Sequence, residues 1–127
     1  MIYSGMATIP DEPTIPKPLA WLHGEIRTPP FAREARIEAG VLLRMLQNGE
    51  FVTMPRSKPL PTIGPRCHEL RIRDKNHNWR IVYRIDADAI IIASVFAKNS
   101  PAVQKVEFEN AKRRLRLYDQ AIANEEK

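Results

Sequence analysis

CHELRIR (Cys67–Arg73) and WRIVYRI (Trp79–Ile85), joined by DKNHN (Asp74–Asn78), decide the fold. In the first run His68, Leu70 and Ile72 share one side, and Glu69, Arg71 and Arg73 the other. In the second, Trp79, Ile81, Tyr83 and Ile85 alternate with Arg80, Val82 and Arg84. A period of two marks half-buried strands, and the short polar link makes the pair an antiparallel hairpin. Register follows from the same pattern, because a slip of one residue moves every side chain to the opposite face. The apolar face stays continuous when Ile72 lies opposite Trp79 and Leu70 opposite Ile81. Arg71 then lies opposite Arg80, and Glu69 opposite Val82. That hairpin turns its apolar side to the helices and Arg71, Arg73, Arg80 and Arg84 to solvent.

Like charges directly opposite one another destabilise a ladder. Two readings of the Arg71/Arg80 pair follow. A bound anion between them removes the conflict, or Glu69 and flanking acids absorb the arginines in ion pairs.

Working outward, Asp86-Ala87-Asp88 is a turn, and Ala89–Ala97 (AIIIASVFA) is a near-continuous apolar run that reads as a buried central strand. A three-residue turn puts Arg80 opposite Ser94 and sends Lys98 out on the arginine side; a two-residue turn reverses that parity. Ser100-Pro101 opens the last helix by cap and first-turn proline. Its apolar stripe is Phe108, Ala111, Leu115, Tyr118 and Ile122, and Lys105, Lys112, Arg113 and Arg116 enrich its remaining, solvated surface.

Upstream, Phe51–Arg66 holds Pro55, Pro59, Pro61, Gly64 and Pro65, with Arg56 and Lys58 between them. Proline cannot donate to a ladder, so this stretch reads as a structured loop rather than a strand. Such loops often carry function, and a stiff connector fits the composition equally. Phe31–Asn48 carries Ala35, Ala39, Leu42, Leu43, Met45 and Leu46 at helical spacing, stopped by Gly49. Thr28-Pro29-Pro30 reads as its start, with a break near Arg33 as an alternative. Leu19–Gly24 fits a first strand.

At 127 residues the chain has the length of one domain. No apolar run approaches the ~20 residues of a membrane span. Residues 1–17 lack a basic start followed by an apolar block, so they are expected to be an unstructured leader rather than a signal peptide. The domain is expected over 18–122, with a frayed tail at 123–127. Cys67 is the only cysteine, which leaves no disulfide framework and no cysteine-based zinc site. A reduced, cytoplasmic setting follows as the expectation.

No glycine-rich phosphate loop follows a strand, and His23, His68 and His77 are not spaced as metal ligands. Neither a metal nor another cofactor is expected. His68 falls on the core side of its strand, where a hydrogen-bonded structural role fits. His77 lies in the hairpin loop, within reach of a ligand. Cys67 and His68 cannot form a nucleophile pair, since neighbours on a strand point to opposite faces. The chemistry that remains is cationic. The formal net charge is +5, and arginines cluster between Arg66 and Arg84. Guanidinium forks match phosphate oxygens. They also stabilise the charge that develops when a ribose 2′-hydroxyl attacks its neighbouring phosphate.

CHELRIRD, WRIVYRID and DAIIIASVFAKNS, followed by a helix with AKRRLRLYD, resemble in their order the RelE/ParE toxin superfamily. TPPFAREARIEAGVLLRMLQNGE and MPRSKPLPTIGPRCHELRI bring the resemblance nearest to the phage-derived HigB-like branch, over roughly Pro18 to Asp119. The resemblance implies an α+β, RelE-like fold: a small antiparallel-dominated sheet with helices packed on one face and a C-terminal helix. It implies a type II toxin that enters the ribosomal A site and cleaves messenger RNA, held inactive by a cognate antitoxin of the helix-turn-helix DNA-binding kind. By motif match Arg71, Arg80 and Lys98 take the catalytic positions. Arg73, Arg84, Lys58, Arg56 and His77 are expected as RNA contacts. The sequence departs from the pattern in three places. Glu69 stands where RelE has a second lysine, Asn99 follows Lys98 where the HigB-like branch has another, and Tyr118 reads as helix core rather than a tail tyrosine. A gyrase-poisoning ParE-like toxin and an inactive RNA-binding module remain alternatives on the same fold.

Overall fold

The computed structural model describes residues 15–126. Its elements are β1 (Leu19–Trp21), α1 (Arg33–Gln47), β2 (Ser57–Pro59), β3 (Cys67–Arg73), β4 (Asn78–Ile85), β5 (Ile90–Ala97) and α2 (Pro101–Glu125). The sheet order is β1-β5-β4-β3-β2, with β1 parallel to β5 and the other pairings antiparallel. This is the expected α+β class with an antiparallel-dominated sheet.

The hairpin register is the one that alternation requires: Ile72 faces Trp79, Leu70 faces Ile81 and Arg71 faces Arg80. Burial on one face fixes it. Leu70, Ile72, Ile81 and Tyr83 pack with Ala35, Ala39, Leu42, Leu43 and Leu46 of α1, and Phe31 stacks on Trp79 with ring centroids 4.1 Å apart. Each aliphatic side chain buried in such a core contributes about 1.5–3 kcal/mol.

The opposite face is not left wholly to solvent. Ala111 and Leu115 of α2 pack there on Cys67, Val82, Ile91, Ala93 and Phe96. The two helices therefore sandwich the sheet, and at the β3–β4 end Arg73 is exposed while Arg71 and Arg80 are part-buried.

Helix boundaries follow local chemistry. α1 starts at Arg33, later than Thr28-Pro29-Pro30 suggested, and its Ala32 N-cap has no side-chain cap of its own. Asp74 of the hairpin loop supplies one, accepting from the Ala32 N–H at 2.9 Å and the Trp79 indole at 3.0 Å. Those two donors hold the Asp74 carboxyl below its ordinary value, the Ala32 N–H foremost. At the other end Gly49, at φ +82°, closes the helix, with Gly49 N–H to Leu46 O and Glu50 N–H to Met45 O both 3.0 Å. Ser100 caps α2 through the Val103 N–H at 3.2 Å, with Pro101 in the first turn, as expected. α2 runs on through Glu125, past Ile122, where the domain was expected to end.

The reading of Phe51–Arg66 as free of strand is corrected by β2, which pairs Ser57, Lys58 and Pro59 with Leu70, Glu69 and His68. Ladder bonds at Arg71 N–H to Arg56 O and Leu60 N–H to Cys67 O place Pro59 at a position whose nitrogen faces away from β3. An edge strand tolerates proline there.

The domain also extends slightly before its expected start, because Lys17 N–H donates to Gln47 O and its Nζ to Asp86 O, at 2.8 and 2.9 Å. Residues 1–14 of the expected leader lie outside the described residues.

The first strand is shorter than the expected Leu19–Gly24, stopping at Trp21, and Gly24 follows it at φ +83°, where an added Cβ would meet Val95 Cβ at 2.8 Å. Gly24→Ala combines that overlap with a backbone region costly for L residues, and it should lower unfolding free energy by about 1–3 kcal/mol in urea titrations. An unchanged midpoint would show that this corner yields freely.

Candidate nucleic-acid interface

The site grows from the register. β3 and β4 set Arg71 and Arg80 side by side on a paired, rigid ladder. Between them lies Glu69, only 2% exposed, its Oε1 3.1 Å from Arg71 Nε and 3.3 Å from Arg80 Nε. One carboxylate thus meets both guanidiniums from within the sheet, which partly fulfils the ion-pair reading. It does not complete it, since Glu69 Oε2 has no hydrogen-bond partner among the described residues. Burial pulls Arg80 below its ordinary pKa, Glu69 raises it, and Arg71 lowers it again. A guanidinium stays charged through such shifts.

A cleft of about 360 Å³ opens beside this pair, lined by Arg56, Arg71, Arg73, Arg80, Asn78, Pro55, Ile72 and Glu38. Four arginines therefore converge on one concavity, against Glu38 in its wall and Glu69 beside it. Arg56 arrives because its carbonyl accepts from the Arg71 N–H at 2.8 Å, which ties the proline-rich segment to β3. Lys58, exposed on β2, pairs with Glu69 and so shares its face.

Lys98 reaches the same side by two cancelling irregularities. The β4–β5 turn places Ile85 opposite Ile90, the two-residue parity that would have sent Lys98 away. A bulge then opens between Val82 and Tyr83, so Ser94 faces Val82, Ala93 is the extra residue, and Arg80 faces Phe96 rather than the expected Ser94. Arg114 of α2 donates to the Ala93 carbonyl at 3.0 Å and satisfies the bulged backbone. Parity is restored, and Lys98 N–H donates to Asn78 O at 2.8 Å at the mouth of the cleft.

Two expected contacts fall elsewhere. Arg84 is corrected from an open-face residue to a buried one. It grips Asp86 at 2.7 and 2.8 Å and Asp119 at 2.7 and 3.0 Å, because α2 covers its end of the sheet. His77 stacks on Trp79, centroids 5.1 Å apart, on the face of α1 rather than with the arginines. His68 stacks on Tyr83, but its buried Nδ1 lacks the expected hydrogen bond among the described residues. Cys67 is buried, and desolvation pushes its thiol up against the opposing pull of Arg84 and Arg66, which suits a structural thiol.

One residue that sequence reasoning left out shapes the site: Asp74 fixes the hairpin loop to α1. Glu69, placed by the alternation on the arginine side of β3, seats the arginine pair.

Among the described residues no cluster of His, Cys, Asp and Glu is arranged to hold a metal ion, and no helix is long and apolar enough to cross a membrane.

The five-stranded sheet, its two covering helices and the arginine cleft define a small α+β protein built around a cationic sheet face. The family model described as "Phage derived protein Gp49-like (DUF891)" matches residues 30–116. That span is more than half of the chain and includes Arg56, Arg71, Arg73, Arg80 and Lys98. The chain belongs to this phage-derived family, a toxin-like family related to RelE and HigB. No curated protein and no solved structure matches the chain.

Proposed function

We propose that this chain is the toxin of a type II toxin–antitoxin pair, an endoribonuclease that cuts messenger RNA in the ribosomal A site. The carrying observation is the convergence of Arg56, Arg71, Arg73 and Arg80 on one cleft, with Arg71 and Arg80 opposed on a rigid ladder.

In the proposed reaction the ribose 2′-oxygen attacks the adjacent phosphorus. The new bond is O2′–P and the broken one P–O5′. The 2′-hydroxyl loses its proton and the leaving 5′-oxygen gains one, giving a cyclic phosphate and a free 5′-hydroxyl. Arg71 and Arg80 offer forked donors to the non-bridging oxygens, where charge builds. Lys98 and Arg73 add positive potential along the strand ends. Charge alone accelerates little unless the 2′-oxygen, phosphorus and leaving oxygen are in line, and the ribosome would supply that alignment. A toxin-like family also implies an antitoxin partner, in general terms.

Induced expression in bacteria with mapping of messenger 5′ ends tests the proposal. Growth arrest with new in-frame ends inside translated regions is expected for wild type and not for Arg80→Ala. Naked RNA should survive the purified protein without ribosomes. Arrest with damaged DNA and intact messages would replace the reading with gyrase poisoning. Absence of arrest at matched soluble expression would leave an inactive binding module.

A further inference from the structure

A second concavity, about 560 Å³, lies between the segment after β2 and the C-terminal half of α2. Cys67 lines it, so it sits at the opposite end of β3 from Arg73 and the arginine cleft, about 20 Å away at ~3.3 Å per residue. Its apolar lining includes Ile63, Cys67 and Leu115; its cations include Arg66, Lys112 and Arg116. The one acid in its wall, Asp119, is already gripped by Arg84 at 2.7 Å. Lys112 and Arg116 are exposed. Arg66 is held in the left-handed region at φ +63°, and its guanidinium donates to Ile85 O at 3.0 Å and lies 3.5 Å from Asp86 Oδ1. A non-glycine residue kept there is maintained by its surroundings, and such strain concentrates at binding sites.

This chemistry separates possible occupants. A nucleic-acid strand would use the cations through its phosphates but would leave the aliphatic floor of Ile63 and Leu115 without apolar partners. An aliphatic floor with a cationic rim instead complements a polypeptide that carries carboxylates beside aliphatic side chains. We propose that this groove docks an acidic, aliphatic-bearing segment of the protein that neutralises the chain, an inference that rests on the toxin reading. The segment places its apolar side chains over Ile63 and Leu115 and its carboxylates against Lys112, Arg116 and Arg66.

The test uses the purified full chain and, as probes, the two proteins encoded on either side of its gene, with binding followed by calorimetry. One of them is expected to bind. Its affinity should fall about tenfold or more in the double variant Lys112→Glu/Arg116→Glu, which reverses the rim charge. Ala123→Trp fills the groove without altering charge and should weaken binding comparably. Circular dichroism melts confirm that both variants are folded, as expected for substitutions at exposed helix positions.

Wild-type affinity in both folded variants would overturn the docking site, as would failure of both neighbours to bind the wild-type chain. Loss of binding to a short labelled single-stranded RNA in the charge-reversed variant, with neighbour binding intact, would reassign the groove to nucleic acid. Growth arrest and its loss in Arg80→Ala are scored separately. A chain that arrests growth but binds neither neighbour sinks the docking inference alone, and a chain that binds through the groove without arresting growth sinks the toxin reading alone.

Discussion

Arg80→Ala is expected to slow ribosome-dependent messenger cleavage by about 10²–10³-fold, the usual loss when one preorganised donor to a developing oxyanion is removed. The expectation comes from its position. Arg80 lies directly across from Arg71, its side chain is only 12% exposed, and Glu69 contacts it from below. Its charge acts in a partly desolvated cleft, where it counts for more than in water. Arg80→Lys keeps the charge but loses the planar fork, so it should bind messenger-bearing ribosomes and recover only part of the rate. Arg71 still contacts Glu69 at 3.1 Å in either variant, so the carboxylate is not left without a cation. Single-turnover cleavage on purified ribosomes, beside a thermal melt of each protein, measures both effects. A folded Arg80→Ala protein that cuts at the wild-type rate would remove the arginine pair from the chemistry.

The elements that build this pair were legible in the sequence because they have a strict period. Alternation in β3 and β4, with one face buried, admits a single register, and the Arg71/Arg80 opposition follows from it. The start of α2 was legible for an equally local reason, the serine cap and first-turn proline. β2 was not, because three residues at a sheet edge carry little pattern and Pro59 argues against a strand until its outward-facing nitrogen is known. Lys98 arrived on the expected side through a different route from the simplest one. A two-residue turn reversed its parity, and the bulge at Ala93, supported by Arg114 from a distant helix, reversed it back. No local signal marks that bulge.

Glu69 shows how a departure from a family pattern can be read twice. In sequence it replaces a cation expected from the RelE resemblance, which lowers the charge of the site. In the fold it is buried between Arg71 and Arg80 and relieves the repulsion that their register imposes. The remaining positive charge of Arg56, Arg73 and Lys58 lies around the pair, which keeps the face suited to a polyanion.

Arg84 was misplaced for a tertiary reason: alternation puts it on the arginine face, but only the path of α2 reveals that this end of the face is covered. Breaking its buried network should be costly. Removing one partner of a buried ion pair leaves the other uncompensated, typically at 3–5 kcal/mol. Because the Asp119 side chain is 55% exposed, Arg84→Met is expected near the lower end, about 3 kcal/mol at neutral pH. For a domain of this size that corresponds to a fall of roughly 10 °C in melting temperature.

The pH dependence has a defined sign. Hydrogen bonds from Arg84 hold the Asp119 carboxyl below its ordinary value. The stabilisation is therefore fully present above the unfolded carboxylate pKa of about 3.9 and is lost as pH falls through the lower folded value. Urea titrations should show a wide gap between wild type and Arg84→Met at pH 7 that narrows on acidification, because the variant has no such interaction to lose. A gap that stays constant into acid would show that Arg84 stabilises through packing rather than through its carboxylates. At a temperature where Arg84→Met is folded its messenger cleavage should match wild type, since Arg84 does not line the arginine cleft. Two arginines on one strand, Arg80 and Arg84, are thereby separated: loss of one should affect the reaction, and loss of the other the fold.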